Sequence, residues 1–203
     1  MAGCELKEGV PNKRWELKKE QTAAFAKIDS SQLLLEVFNP VTPNAVSLSQ
    51  YPVIGNFELF IKVEGMTWEA PLVPQIRLEV YNENAEEETI SGVSVNPDAF
   101  YCYAGGTDPE HRDMRMINDH TGIMQIYRSG DIVSCFAMFG NTSLTCSRTV
   151  TGDDMKVRLV FGSAVNGSGL VSARLDRFRA VTGWNTSISD PPVTDDDFDE
   201  VSW

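Results

Sequence analysis

Between residues 56 and 64 the chain alternates in character almost without a break. Phe57, Leu59, Ile61 and Val63 are apolar, and Glu58, Lys62 and Glu64 between them are charged, with Phe60 as the exception. Successive side chains of an extended strand point to opposite faces, whereas a helix needs apolar residues every three or four positions. The segment therefore predicts a strand with one face on a core and the other toward water, as in an antiparallel sheet. Residues 75–81 repeat the pattern with Ile76, Leu78 and Val80.

The same reading extends along the chain. Residues 32–38 read as a strand stopped by Asn39-Pro40, and residues 90–95 and 99–103 as shorter ones. Residues 122–128 and 132–139 flank the tight turn Ser129-Gly130-Asp131 and form the clearest hairpin. Residues 155–161 and 170–181 supply two more long strands across a Gly/Ser/Asn turn. Residues 18–27 read as one short helical or irregular turn, residues 41–52 as a proline-containing loop, and residues 105–119 as a long polar connection. Nine or more strands with almost no helical periodicity, and no internal repeat, point to a sandwich or barrel. The expected division is an N-terminal extension over 1–30 leading into the first strands, a β-sandwich over 31–183, and an acidic tail over 184–203.

At 203 residues the chain is long enough to bury a full core. Its formal charge of -12, from 29 acidic and 17 basic residues, repels phosphate backbones and anionic lipid, which argues against nucleic acid or membrane as the main partner. No run approaches the roughly 20 apolar residues that span a bilayer. Residues 1–15 contain no apolar stretch of signal-peptide length, so the reading is of a soluble chain. Sequons at Asn141, Asn166 and Asn185 would suit an extracellular or surface setting. Of four cysteines, Cys135 lies in an apolar run and reads as buried packing. It could also meet Cys146 across a hairpin built on Gly140-Asn141, and the bridged and unbridged states both stay open.

Residues 121–183 resemble laminin G-like and other concanavalin A-like domains. The resemblance lies in a strand ending Tyr127-Arg128-Ser129-Gly130 with a return strand through Cys135-Phe136. It continues in the closing strands, Met155-Lys156-Val157-Arg158-Leu159-Val160-Phe161 and then Val171 to Val181. Residues 55–63 resemble the early strand of the same group, so the likeness runs over about 33–181. It implies an all-β, concanavalin A-like jelly-roll β-sandwich of two antiparallel sheets. Relatives of that fold include lectins, accessory modules, adhesion parts and glycosidases, so fold does not transfer activity. The Glu-x-Asp-x-x-Glu strand often carried by the glycosidases is missing, and Leu144 stands where the resemblance implies an aromatic.

Sugar binding asks for an aromatic face and polar partners in a shallow site. Trp68, Tyr81, Tyr101, Tyr103 and Tyr127 are the candidate aromatics, and Arg77, Asn82, Gln125 and Arg128 the candidate partners. Trp68, Arg77, Tyr81, Tyr103, Gln125 and Tyr127 form the preferred set, with Tyr127 the aromatic most expected at the surface. Each could equally serve packing. A glycosidase needs two carboxyls roughly 5 to 9.5 Å apart. Glu58 and Glu64 lie too far apart on one strand, which leaves Glu58 with Glu79 across a sheet as the sole candidate pair. His111 and His120 share a loop with Asp108, Asp113 and Asp119, whose hard oxygens would favour calcium over zinc. Asp153 and Asp154 are a second acidic candidate, and a solvated acidic loop is the plainer reading of both. Arg174, Arg177 and Arg179 form a positive patch that could pair with Glu58, Glu79 or the tail, or meet an acidic sugar or partner carboxylate. The tail, with Phe198 and Trp203, is a candidate dock on another subunit.

Three functions follow as expectations. The first is a non-catalytic carbohydrate-binding or adhesion module, with a glycan or protein surface as partner. The second is a structural or assembly component of a larger surface or virion complex. The third is a glycan-acting hydrolase with a non-standard carboxylate pair.

Overall fold

Two antiparallel sheets face each other across one apolar core. A computed structural model describes residues 4–5, 15–29, 32–82, 90–104, 112–150 and 154–181. The eight-stranded sheet contains β1 (Cys4–Glu5), β3 (Ala24–Asp29), β4 (Gln32–Phe38) and β6 (Phe57–Trp68). It also contains β11 (Gly122–Ser129), β12 (Ile132–Phe139), β13 (Thr142–Thr149) and β15 (Leu170–Val181). Its spatial order is β1-β3-β4-β15-β6-β11-β12-β13. The seven-stranded sheet contains β2 (Trp15–Lys19), β5 (Val46–Ile54), β7 (Pro74–Tyr81) and β8 (Ser91–Val95). It is completed by β9 (Ala99–Ala104), β10 (Arg112–Met116) and β14 (Asp154–Ser163), in the order β10-β9-β8-β7-β14-β5-β2. This is the expected jelly-roll β-sandwich.

The alternation places one set of side chains inside. Leu59, Ile61 and Val63 of β6 meet Ile76, Leu78 and Val80 of β7 in the core, together with Met124, Ile126, Val133, Val157, Leu159 and Phe161. Burying a residue of this size contributes about 1.5–3 kcal/mol, so the two inward faces hold the sheets together. At the β11–β12 turn Gly130 has φ +59, a left-handed conformation that its missing Cβ permits.

Three local expectations are corrected. Residues 18–27 hold no helix: β2 and β3 are joined there by a turn, and Ala24, Ala26 and Ile28 point into the core at strand spacing. The stretch 41–52 is only partly a loop, since β5 begins at Val46. Pro52 fits in β5 because Tyr51 and Pro52 together lie opposite Lys156 where the β5–β14 register shifts, and a bulge needs no ladder donor at that position. The connection 105–119 contains β10, which pairs with β9. The stretch 1–30 contributes β1, β2 and β3 to the two sheets.

Candidate ligand-binding face

The outward face of the seven-stranded sheet is built by the residues that alternate with the core. On β7 these are Gln75, Arg77, Glu79 and Tyr81. The register sets Glu79 beside Arg158 and Tyr81 beside Lys156 on β14, and Arg77 beside Ser94 and Glu79 beside Gly92 on β8. On β9, Tyr103 stands beside Gly92 and Tyr101 beside Ser94. Cations, hydroxyls, an amide and tyrosines thus share one surface.

Glu79 is the centre of this face, and it is 0% exposed. Its own neighbours bury it. Tyr103 donates its hydroxyl to Glu79 Oε1 at 2.6 Å, and Arg77 Nη1 donates to the same oxygen at 3.3 Å. Arg158 Nε donates to Oε2. Gly92 makes room: a Cβ there would lie 2.8 Å from the Tyr103 hydroxyl oxygen and 2.6 Å from the Leu78 carbonyl oxygen. The tyrosine therefore lies across the glycine to reach the carboxylate.

Two arginines on one carboxylate leave the cluster one positive charge in excess. The Arg158 guanidinium also lies 4.8 Å from the centroid of the Tyr81 ring, a cation–π contact that fixes both. Arg77 Nη2 donates to Asn44 Oδ1, while its Nε is buried with no partner among the described residues. Gln75 Nε2 donates to Ser94 Oγ at 3.0 Å. The side chains of Arg77 and Arg158 remain 17% and 30% exposed, so they reach solvent from a fixed base.

The electrostatics follow from this packing. Burial pushes the Tyr103 hydroxyl well above the ordinary tyrosine value, the Glu79 carboxylate raises it further, and Arg77 opposes both. Burial alone would lower Arg158, but the Glu79 charge and hydrogen bond outweigh it and the net direction is upward. Both shifts favour the neutral phenol of Tyr103 and the cationic form of Arg158.

Arg77, Tyr81 and Tyr103 share this face, but Tyr103 is buried and supports the face from below. Gln125 and Tyr127 lie on the outward face of the eight-stranded sheet, on the far side of the sandwich. There Gln125 Nε2 donates to Glu58 Oε1 at 2.7 Å, and Tyr127 is 38% exposed, as its parity predicts. Trp68 ends β6 at the rim, edge-on to His120 with ring centroids 5.2 Å apart. The six candidates therefore occupy three places and do not line one site.

Glu58 and Glu79 sit in different sheets on opposite outward faces, so the expected carboxylate pair does not form. Asp113 lies on β10, and Asp119 accepts from the Thr121 backbone N–H at 2.9 Å. Asp108, His111 and Asp153 lie outside the described residues, as does the tail from 182. Among the described residues no three His, Cys, Asp or Glu side chains gather to hold a metal ion. Arg174 pairs with Asp29 at 2.9 Å, not with Glu58 or Glu79. Arg177 is the extra residue of a bulge in β15, with φ 45. Arg158, Asn44 and Gln75 were missing from the sequence-derived set. The signal for Arg158 was present in the alternation of Lys156 and Arg158 with Val157 and Leu159.

No family model matches the chain, and no curated protein matches it. Solved structures do. A functionally unknown protein from Saccharomyces cerevisiae superposes with a TM-score of 0.55 at 8% identity, covering 85% of this chain and 98% of that one. A legume lectin-like domain from Entamoeba histolytica gives 0.54 at 12% identity, covering 83% and 90%. A prokaryotic β-1,3-1,4-glucanase (lichenase) from a mouse hindgut metagenome gives 0.50 at 8% identity, covering 87% and 96%. At these identities the likeness is one of fold, the concanavalin A-like sandwich.

Proposed function

We propose that this protein is a non-catalytic carbohydrate-binding module. Its ligand face is the outward side of the seven-stranded sheet, around Arg77, Tyr81, Tyr101 and Arg158. The observation that carries this reading is the buried Glu79 cluster. It holds two guanidinium groups and a tyrosine ring in place at an open surface, with donors ready for hydroxyl or carboxylate oxygens. A lectin-like domain and a lichenase share the fold, so the fold does not choose between binding and hydrolysis. The carboxyls do favour binding. Among the described outward side chains of β7, β8, β9 and β14, Glu79 is the one carboxylate, and its oxygens are occupied by Tyr103, Arg77 and Arg158. Hydrolysis by a carboxyl pair needs a second group roughly 5 to 9.5 Å away.

The test is binding of the full chain to a broad glycan array, with and without calcium. Saturable binding to a related set of glycans is expected. Silence in both conditions, with folded protein confirmed by circular dichroism, removes the proposal.

A second reading, an assembly component, is favoured by the outward face of the eight-stranded sheet. Ile132 is 51% exposed there, diagonal to Tyr127, and Met138, opposite Ile123 farther along the strand, is 40% exposed. Apolar side chains exposed along one sheet face suit a protein contact. Light scattering across a concentration series separates the two: growth in mass that Ile132→Glu abolishes supports assembly, and a constant monomer mass removes it. No helix of the described residues is long and apolar enough to cross a membrane.

A further inference from the structure

Three of the four cysteines meet in the core, and sequence register explains how. Cys102 on β9 points inward from the seven-stranded sheet and Cys135 on β12 inward from the eight-stranded one; both are 0% exposed. Cys146 on β13 is the direct ladder partner of Cys135. It is half-buried, because β13 is the edge strand of its sheet and packs against β9 and β10 of the other. Cys102 Sγ donates to the Leu144 carbonyl at 3.6 Å and Cys135 Sγ to the Tyr103 carbonyl at 3.7 Å, and Cys146 packs against the same core. All three thiols are free. Cys4 pairs with Ile28 at the opposite edge of the eight-stranded sheet and takes no part in the cluster.

We propose that Cys146 is a thiol-modification site which reacts with low-molecular-weight disulfides and then closes a bridge to Cys135. Directly opposed residues on antiparallel strands have Cα atoms about 4.5–5.5 Å apart. That spacing falls within the roughly 4.4–6.8 Å that a disulfide spans. Of the three cysteines Cys146 alone is not fully buried, so it meets the reagent first. The neighbouring Cys102 and Cys135 thiols favour its ionised form and hold Cys146 below the ordinary cysteine value. The same interaction, with burial, pushes Cys102 and Cys135 upward.

The chemistry balances with glutathione disulfide as oxidant. The Cys146 thiolate attacks one sulfur of the reagent, forming a mixed disulfide and expelling a glutathione thiolate. Cys135 gives its proton to that thiolate and attacks the Cys146 sulfur, releasing the second glutathione as a thiolate, which is protonated from water. Two protein thiols and one glutathione disulfide become one protein disulfide and two glutathione thiols. An edge strand is suited to this step, because among the described residues β13 is laddered on one side only and its backbone can adjust.

The test uses the full chain with Cys4→Ser, which removes intermolecular bridging, reduced and then exposed to graded glutathione disulfide. Alkylation and peptide mass mapping locate each thiol. A monomeric Cys135–Cys146 bridge is expected, lost in C146S and retained in C102S. Should C146S fail to fold, the alkylation kinetics of the reduced protein still decide. Cys146 is expected to react with N-ethylmaleimide at least about tenfold faster than Cys102 and Cys135. A bridge mapped to Cys102–Cys135 or Cys102–Cys146, equal alkylation rates at the three thiols, or resistance to excess glutathione disulfide overturns the proposal.

Discussion

The Tyr103 hydroxyl donates a 2.6 Å hydrogen bond to Glu79, reaching it across the place where Gly92 has no side chain. Three adjacent strands thus depend on one another through a glycine, a phenol and a carboxylate that are far apart in sequence. Each can be tested separately.

Gly92→Ala should destabilise the protein by about 1–3 kcal/mol, the usual range for forcing extra volume into a packed site. The added methyl meets the Leu78 carbonyl, which is backbone and cannot move aside, as well as the Tyr103 ring. Urea unfolding should show a lower midpoint with an unchanged slope. An unchanged midpoint would mean that Tyr103 does not lie over Gly92.

Glu79→Gln should cost about 2–3 kcal/mol, because it removes the charge that two partly buried guanidinium groups share. Solvent screening keeps this cost below that of a fully buried pair, since Arg77 and Arg158 keep 17% and 30% of their side chains in solvent. Glu58→Gln, on the opposite sheet, should change stability by less than about 0.5 kcal/mol. Comparable losses in the two variants would contradict the central role of Glu79.

Tyr103 links stability to alkaline pH. Its folded-state value is raised, so the neutral phenol is the form that the fold favours. The contribution is fully present below the unfolded tyrosine value of about 10 and is lost as pH climbs through the raised one. An ultraviolet titration should show Tyr103 ionising together with unfolding. In Tyr103→Phe the steep alkaline loss should shrink. A titration in which every tyrosine ionises without unfolding would refute this.

Once a glycan is in hand, Tyr101→Ala and Arg158→Ala should each weaken binding by about tenfold, or about 1.4 kcal/mol. Tyr127→Ala should leave the affinity within about twofold, since it lies on the other sheet. Calorimetric titration of folded variants reads both. The reverse pattern would move the ligand to the eight-stranded face.

Most of the sandwich was legible because strand parity is written directly into residues 57–63, 75–81 and 122–139. Other elements were obscured by local chemistry. Lysines and alanines around β3 suit a helical turn as well as a strand, and only cross-strand pairing with β4 decides. Pro43 and Pro52 hid β5, whose alternation of Val46, Ser47 and Leu48 lay between them. The candidate site was harder. Glu79 carries the sequence signature of a solvated outward residue, and what buries it comes from β8, β9 and β14, which no local pattern connects. Likewise the hairpin at Gly140 brought Cys135 and Cys146 together in sequence reading, but the arrival of Cys102 from the other sheet is a property of the layer packing.

The salt-bridged layer beneath the proposed ligand face has a thermodynamic implication. Arg158 is clamped between Glu79 and Tyr81 before anything binds, so the rotamer freedom of a long side chain has already been lost during folding. Association would draw on that preorganisation, and a ligand docking here need not stiffen its own receptor. The hidden carboxylate, which a sugar would never touch, would then set the entropy of recognition.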